Sequence, residues 1–158
     1  MRAISEDEAL PDEAATDRLA ERLAPLARAG DVIALSGPLG AGKTRFARGF
    51  IAARARDARV PAPGEVPSPT FTLVQVYKLG EVPVWHFDLF RLTRPADVWE
   101  LGLEEALAEG IALIEWPERI IGLLPADRLE LRFEVGPAGA RRCHLTGHGR
   151  WSERLAAA

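Results

Sequence analysis

The segment Gly37-Pro38-Leu39-Gly40-Ala41-Gly42-Lys43-Thr44 has the residue types and the spacing to hold a polyphosphate. It matches Gly-x4-Gly-Lys-Thr, a pattern that carries meaning where a strand enters it and a helix leaves it. Asp31 to Ser36 is a short apolar run that reads as the strand, and residues 44–54 read as the helix, with Phe46 and Phe50 at i, i+4 spacing. Glycines at 37, 40 and 42 permit positive φ, which turns backbone N–H groups toward one centre. Those donors, with the positive end of the following helix, suit the β- and γ-phosphates of a nucleotide. Lys43 adds a full charge on a flexible stem, and Thr44 offers a hydroxyl to Mg2+, a hard ion that prefers oxygen. Only Lys43 and Lys78 are lysines among 20 basic residues, so the lysine of this loop stands out. The loop by itself predicts a nucleoside triphosphate with Mg2+ and leaves kinase, switch and ATPase open.

Phosphoryl transfer also needs carboxylates to hold the metal and to orient the attacking group. Glu115 follows Ile111-Ala-Leu-Ile114, the form of a Walker B strand, and Asp88 follows Val84-Trp-His-Phe87. Chemistry in an open sheet collects beyond the carboxyl ends of strands, so both acids are candidates for the metal. Spacing does not say which touches it. Thr70 ends the stretch Val66-Pro-Ser-Pro, where Pro67 and Pro69 impose an extended path. That path presents Thr70 as a stiff polar finger able to sense a γ-phosphate through its metal; the plainer reading is a threonine that starts a strand. Trp116 reads either as a cover over the nucleotide or as a core tryptophan. His86 reads as a sheet histidine that packs or hydrogen-bonds, and Cys143 as a small core hydrophobe.

The elements that must position these groups are legible in outline. Ala15, Leu19, Leu23 and Leu26 fall at helical spacing within residues 12–29. Residues 57–69, with four prolines and Gly64, predict a loop. Phe71–Tyr77 and Val82–Phe87 flank Leu79-Gly80-Glu81 and predict a hairpin. Pro95 to Ala108 reads as helix and Ile111 to Ile114 as a second buried strand. Residues 128–135 place Leu129, Leu131, Phe133 and Val135 on one face, and Gly136-Pro-Ala-Gly turns the chain toward a partner strand at 142–146. The sum is one α/β domain spanning residues 1–158 with a mixed parallel and antiparallel sheet, its chain from about residue 150 peripheral.

Composition narrows the classes. The 158 residues carry a net charge of −3 without a basic stripe, which argues against a direct grip on nucleic acid. No apolar run reaches the ~18 residues that a membrane span needs. The first residues are acidic and lack the apolar core of a secretory signal. A single cysteine rules out an intrachain disulfide, and a reducing cytoplasm is the expected compartment.

Four segments taken in order resemble the TsaE (YjeE) family: Gly37 to Thr44, Ser68-Pro-Thr-Phe-Thr-Leu-Val74, His86-Phe-Asp-Leu-Phe-Arg91 and Ile114-Glu-Trp-Pro-Glu118. The resemblance covers nearly the whole chain except its last ten or so residues. It implies a P-loop NTPase-like three-layer sandwich and an ATPase that binds ATP and Mg2+ and is required for threonylcarbamoyladenosine in tRNA. It implies catalytic roles for Lys43, Asp88 and Glu115, with Thr44, Glu115 and Asp88 toward the metal. Thr70 becomes a switch-like threonine near the metal, Trp116 lies close to the nucleotide, and Glu13 and Arg141 are peripheral nucleotide contacts. Partners implied are TsaD, which carries the transfer chemistry, and TsaB, with tRNA met through that complex and no membrane. Phe90 departs from the tyrosine usual at its place. The competing readings are a small-molecule kinase using the same loop and a nucleotide-dependent interaction module without hydrolysis.

Overall fold

A computed structural model describes residues 3–158. The strands are β1 (Ile4–Leu10), β2 (Val32–Ser36), β3 (Val74–Tyr77), β4 (Val84–Asp88), β5 (Ile111–Glu115), β6 (Arg128–Val135) and β7 (Arg141–His148). They form one sheet in the order β1-β7-β6-β2-β5-β4-β3. The four central strands run parallel, while β1, β7 and β3 pair antiparallel at the two flanks. The mixed sheet expected from the sequence is therefore present, with the phosphate-loop strand β2 in its middle.

Helices α1 (Glu13–Leu23), α2 (Lys43–Asp57) and α4 (Arg150–Ala157) cover one face, and α3 (Leu103–Glu109) lies on the other. Strand alternation explains the division. Ile33, Leu35, Leu113, Leu129, Leu131 and Leu145 point toward α1 and α2 and pack on Leu19, Leu23, Phe46, Phe50 and Trp151. Val32, Ala112, Ile114 and Phe87 point the other way, onto Val98, Leu103, Ala106 and Ile120. Because β2 and β5 are buried on both sides they read as unbroken apolar runs, as central parallel strands do.

Several boundaries differ from expectation for local reasons. The first helix stops at Leu23 and tightens into a 3-10 turn over Ala24–Leu26, because Pro25 has no N–H to give the ladder. Asp12 caps its start, its carboxylate accepting from the Ala15 amide at 2.8 Å. The helix expected over 95–108 is a 3-10 segment, Pro95–Leu101, followed by α3, and the break falls at Gly102 with φ 98°. A Cβ there would come within 2.6 Å of the Trp85 ring, so glycine is required both for the turn and for the close approach.

Two elements escaped the sequence reading. Strand β1 carries three consecutive acids, Glu6-Asp7-Glu8, in place of an apolar alternation, and its Glu6 and Glu8 pair with Arg22 of α1. The chain beyond 150, expected to be peripheral, is instead the packed helix α4. Trp151 is fully buried, and the Arg154 guanidinium donates to the nearly buried Asp31 carboxylate beside β2. Among the described residues no helix is long and apolar enough to cross a membrane.

Candidate functional site

Strand β2 ends at Ser36 and the chain turns at once into the glycine-rich loop. Gly37 has φ 134°, and a Cβ there would meet the Phe133 carbonyl oxygen of β6 at 2.5 Å, so only glycine fits. Gly42, at φ 118°, precedes Lys43, the first residue of α2. The amides that open α2 have no intrahelical acceptor, which leaves them for an anion at the helix's positive end. Strand, loop and helix thus stand as the motif demands.

Lys43 is nearly buried, and its ammonium has two neighbours. Nζ donates to the Gly37 carbonyl oxygen at 2.6 Å and stands 3.5 Å from the centroid of the Trp116 ring. Burial pushes the Lys43 ammonium below the ordinary lysine value, against the opposing pull of Glu115, Glu118 and Asp88. Trp116 holds this pose from a left-handed backbone conformation, φ 61° and ψ 50°, just past β5. Phe90 packs against the Trp116 ring, with centroids 4.9 Å apart.

The two acids sit on adjacent parallel strands at the same level, Asp88 of β4 beside Glu115 of β5. Both are nearly buried, and both face α2 because they share strand parity with Val84 and Leu113. Their partners separate them. Thr44 Oγ1 donates to the Glu115 carboxylate, 3.0 and 3.1 Å from its two oxygens. His86 Nε2 approaches Glu115 Oε2 at 2.6 Å. Asp88 instead gathers the proline-rich loop. Ser68 Oγ and Thr70 Oγ1 donate to its Oδ2 at 2.9 and 3.0 Å, and the Phe90 amide donates to Oδ1 at 3.1 Å. Arg48 of α2 ties the same loop down through the Val66 carbonyl, at 2.7 Å.

These groups line a cleft of about 270 Å3 that also takes in Leu39, Gly40, Glu13, Thr16 and Arg141. Arg141 donates to the Gly40 carbonyl at 3.1 Å, and Glu13 pairs with Arg45 at 3.0 Å. The structure therefore brings Gly40, Gly42, Lys43, Thr44, Thr70, Asp88, Glu115, Trp116, Glu13 and Arg141 to one cavity, while Pro38 and Ala41 shape the loop. Among the described residues no group of three His, Cys, Asp or Glu side chains could hold a metal unaided. A hydroxyl beside a carboxylate still suits Mg2+, which keeps several waters and takes its other oxygens from a nucleotide. Ser68 and His86 were missed as parts of the site. His86 stands two residues from Asp88 in β4, a spacing that puts both side chains on one side of the strand, and Ser68 stands two residues before Thr70, their hydroxyls 3.0 Å apart.

Sheet order, strand–loop–helix and buried acids at the strand ends define a P-loop NTPase-like protein of α/β class. The sequence profile described as "Threonylcarbamoyl adenosine biosynthesis protein TsaE" matches residues 10–143. The chain belongs to the TsaE family. It is 35% identical over 146 residues to the tRNA threonylcarbamoyladenosine biosynthesis protein TsaE of Rickettsia bellii, covering 92% of this chain and 98% of the relative. To the protein of the same name from Bacillus subtilis it is 36% identical over 146 residues, 92% of this chain and 86% of that one. A crystal structure of YdiB from Bacillus subtilis superposes with a TM-score of 0.77 at 28% identity, covering 99% of this chain and 95% of that one.

Proposed function

We propose that this chain binds and slowly hydrolyses Mg-ATP as the nucleotide-dependent subunit of tRNA threonylcarbamoyladenosine biosynthesis, cycling an assembly of TsaD and TsaB in the cytoplasm. The observation that carries the reading is the meeting of Thr44 and Glu115 beside Lys43 at the head of α2, with Asp88 one strand away. In this account the amides of 40–44 and the Lys43 ammonium receive the β- and γ-phosphates. Thr44 and Glu115 are the protein's oxygens for Mg2+, which when bound neutralises charge developing on the transferred phosphoryl group. Asp88 orients the attacking water, and Ser68 and Thr70 hold its carboxylate in place while reporting the state of the site to the proline-rich loop. Glu13, Arg141 and Trp116 border the space left for the nucleoside.

The partner half of the proposal draws on the family and on exposed apolar groups at the cleft. Leu39 in the phosphate loop and Phe71 beside Thr70 are 72% and 81% exposed. Large apolar side chains displayed at the rim of a nucleotide site suit contact with another protein that reads its state.

The test is equilibrium ATP binding followed in parallel with phosphate release. Lys43→Ala is expected to weaken binding about 100-fold, the loss of a charge-assisted contact of roughly 3 kcal/mol. Asp88→Ala is expected to reduce phosphate release by about 100-fold or more while changing the binding constant by only about threefold. Transfer of the γ-phosphoryl to a small acceptor, or ATP binding that ignores Lys43, would contradict the assignment.

A further inference from the structure

The group in the site without an assigned task is His86. It is fully buried on β4, and its Nε2 lies 2.6 Å from Glu115 Oε2. Its Nδ1 is buried with no hydrogen-bond partner. An unpartnered lone pair in the interior is tolerated far better than an unpartnered N–H, so the ring donates from Nε2 and leaves Nδ1 bare. A core histidine that served only packing would gain from a partner at each nitrogen. This one gives its single donor to the carboxylate shared with Thr44.

We infer that His86 is a positioning residue for the metal carboxylate: its Nε2–H fixes Glu115 Oε2 so that the remaining lone pairs face Thr44 and the Mg2+ of a bound nucleotide. The inference rests on the proposed nucleotide site and adds a residue to it. Three features of the fold support the role. Glu115 closes β5 with its side chain buried; a glutamate carboxylate turns about three rotatable bonds, and among the described residues only Thr44 and His86 hydrogen-bond to its oxygens. Thr44 carries one proton for two carboxylate oxygens at 3.0 and 3.1 Å, so it cannot select an orientation. His86 stands at the rung opposite Leu113, and two residues along the same strand Asp88 stands opposite Glu115. A single strand therefore holds the metal carboxylate through one side chain and the hydroxyl-bearing loop through the next on that face. Hydrogen-bond partners of metal-ligating carboxylates typically hold 10–100-fold in metal affinity.

The experiment compares His86→Gln with His86→Asn in the full chain. The glutamine amide reaches the place of Nε2 and can donate to Glu115, whereas the shorter asparagine amide ends near the place of Nδ1 and cannot. A fluorescent ATP analogue is titrated first in EDTA and then at stepped Mg2+ concentrations, reading the Mg2+-dependent change in affinity without any turnover. In EDTA both variants are expected to bind within about threefold of wild type, which also shows that both are folded. The Mg2+ needed for half the effect is expected to rise about 10-fold in His86→Asn and to stay within about threefold of wild type in His86→Gln. Equal Mg2+ requirements in the two variants, or a loss of affinity that is as large in EDTA as in Mg2+, would overturn the positioning role. Wild-type protein that binds no nucleotide in EDTA or in Mg2+ would overturn the proposed function and this inference with it.

Discussion

The Lys43 ammonium is held between the Gly37 carbonyl and the Trp116 ring, 3.5 Å from the ring centroid. Phosphates entering the loop compete for that ammonium with a far stronger electrostatic partner than an indole face. ATP is therefore expected to change the environment of Trp116, and tryptophan emission should shift on titration. The chain has four tryptophans, so the assignment requires Trp116→Phe, which should remove the ATP-dependent change and keep binding. A change that survives this substitution would place the signal elsewhere. At this scale the loop, Thr44, Asp88 and Glu115 were legible from residue type and spacing. Their division of labour was not, because it depends on which hydroxyls reach which carboxylate across the sheet. Thr70 shows the limit well: on its own residues it reads as a strand start, yet its hydroxyl is bound to Asp88 at 3.0 Å.

At the level of elements, strands β1, β7 and β6 are stitched together by a charge cluster. His144 of β7 contacts Asp7 of β1 and lies 3.0 Å from Glu134 of β6. Hydrogen bonding to Glu134 first and Asp7 second raises the His144 value above the ordinary 6.5. Hydrogen bonding to His144 foremost, with Arg132 adding to it, holds the Glu134 carboxyl below its ordinary 4.5. A raised folded value means that the histidine's contribution is complete below 6.5 and is lost as pH rises through the folded value. A depressed value means that Glu134 contributes above 4.5 and is lost as pH falls through its folded value. The cluster is thus strongest between those limits. Urea midpoints measured from pH 5 to pH 9 should fall on the alkaline side for wild type, and His144→Leu should flatten that fall. Helix α4 gives a larger effect by a different route. Trp151 is fully buried in the core on the α1–α2 face of the sheet, so Trp151→Ala is expected to cost about 3–5 kcal/mol and to shift the urea midpoint accordingly. Neither element was legible beforehand. Strand β1 keeps its place by hydrogen bonding to β7 and by charge pairs, leaving no apolar alternation to read, and the short α4 has its meaning only once Trp151 finds the core.

Across the whole molecule the sheet order was open even where the strands were plain. Nothing in residues 128–135 says that they lie beside β2, and that placement sets Phe133 against Gly37 and shapes the phosphate loop from outside. Long-range pairing of this kind is decided by the closure of the core and not by local propensity. Leu39 lines the cleft and Phe71, which follows Thr70 of that lining, is exposed beside it. Phe71→Asp is expected to leave ATP binding within about threefold of wild type while weakening any nucleotide-dependent association with TsaB and TsaD by tenfold or more, as interface anchors do. A pull-down in ATP and in its absence reads this directly. The most direct measurement of the central claim is phosphate release from Mg-ATP by the purified chain, alone and with purified TsaB and TsaD. Slow release alone, a clear increase with the partners, and loss of both in Lys43→Ala are expected. Release that the partners leave unchanged, with rapid γ-phosphoryl transfer to a small acceptor, would contradict that claim.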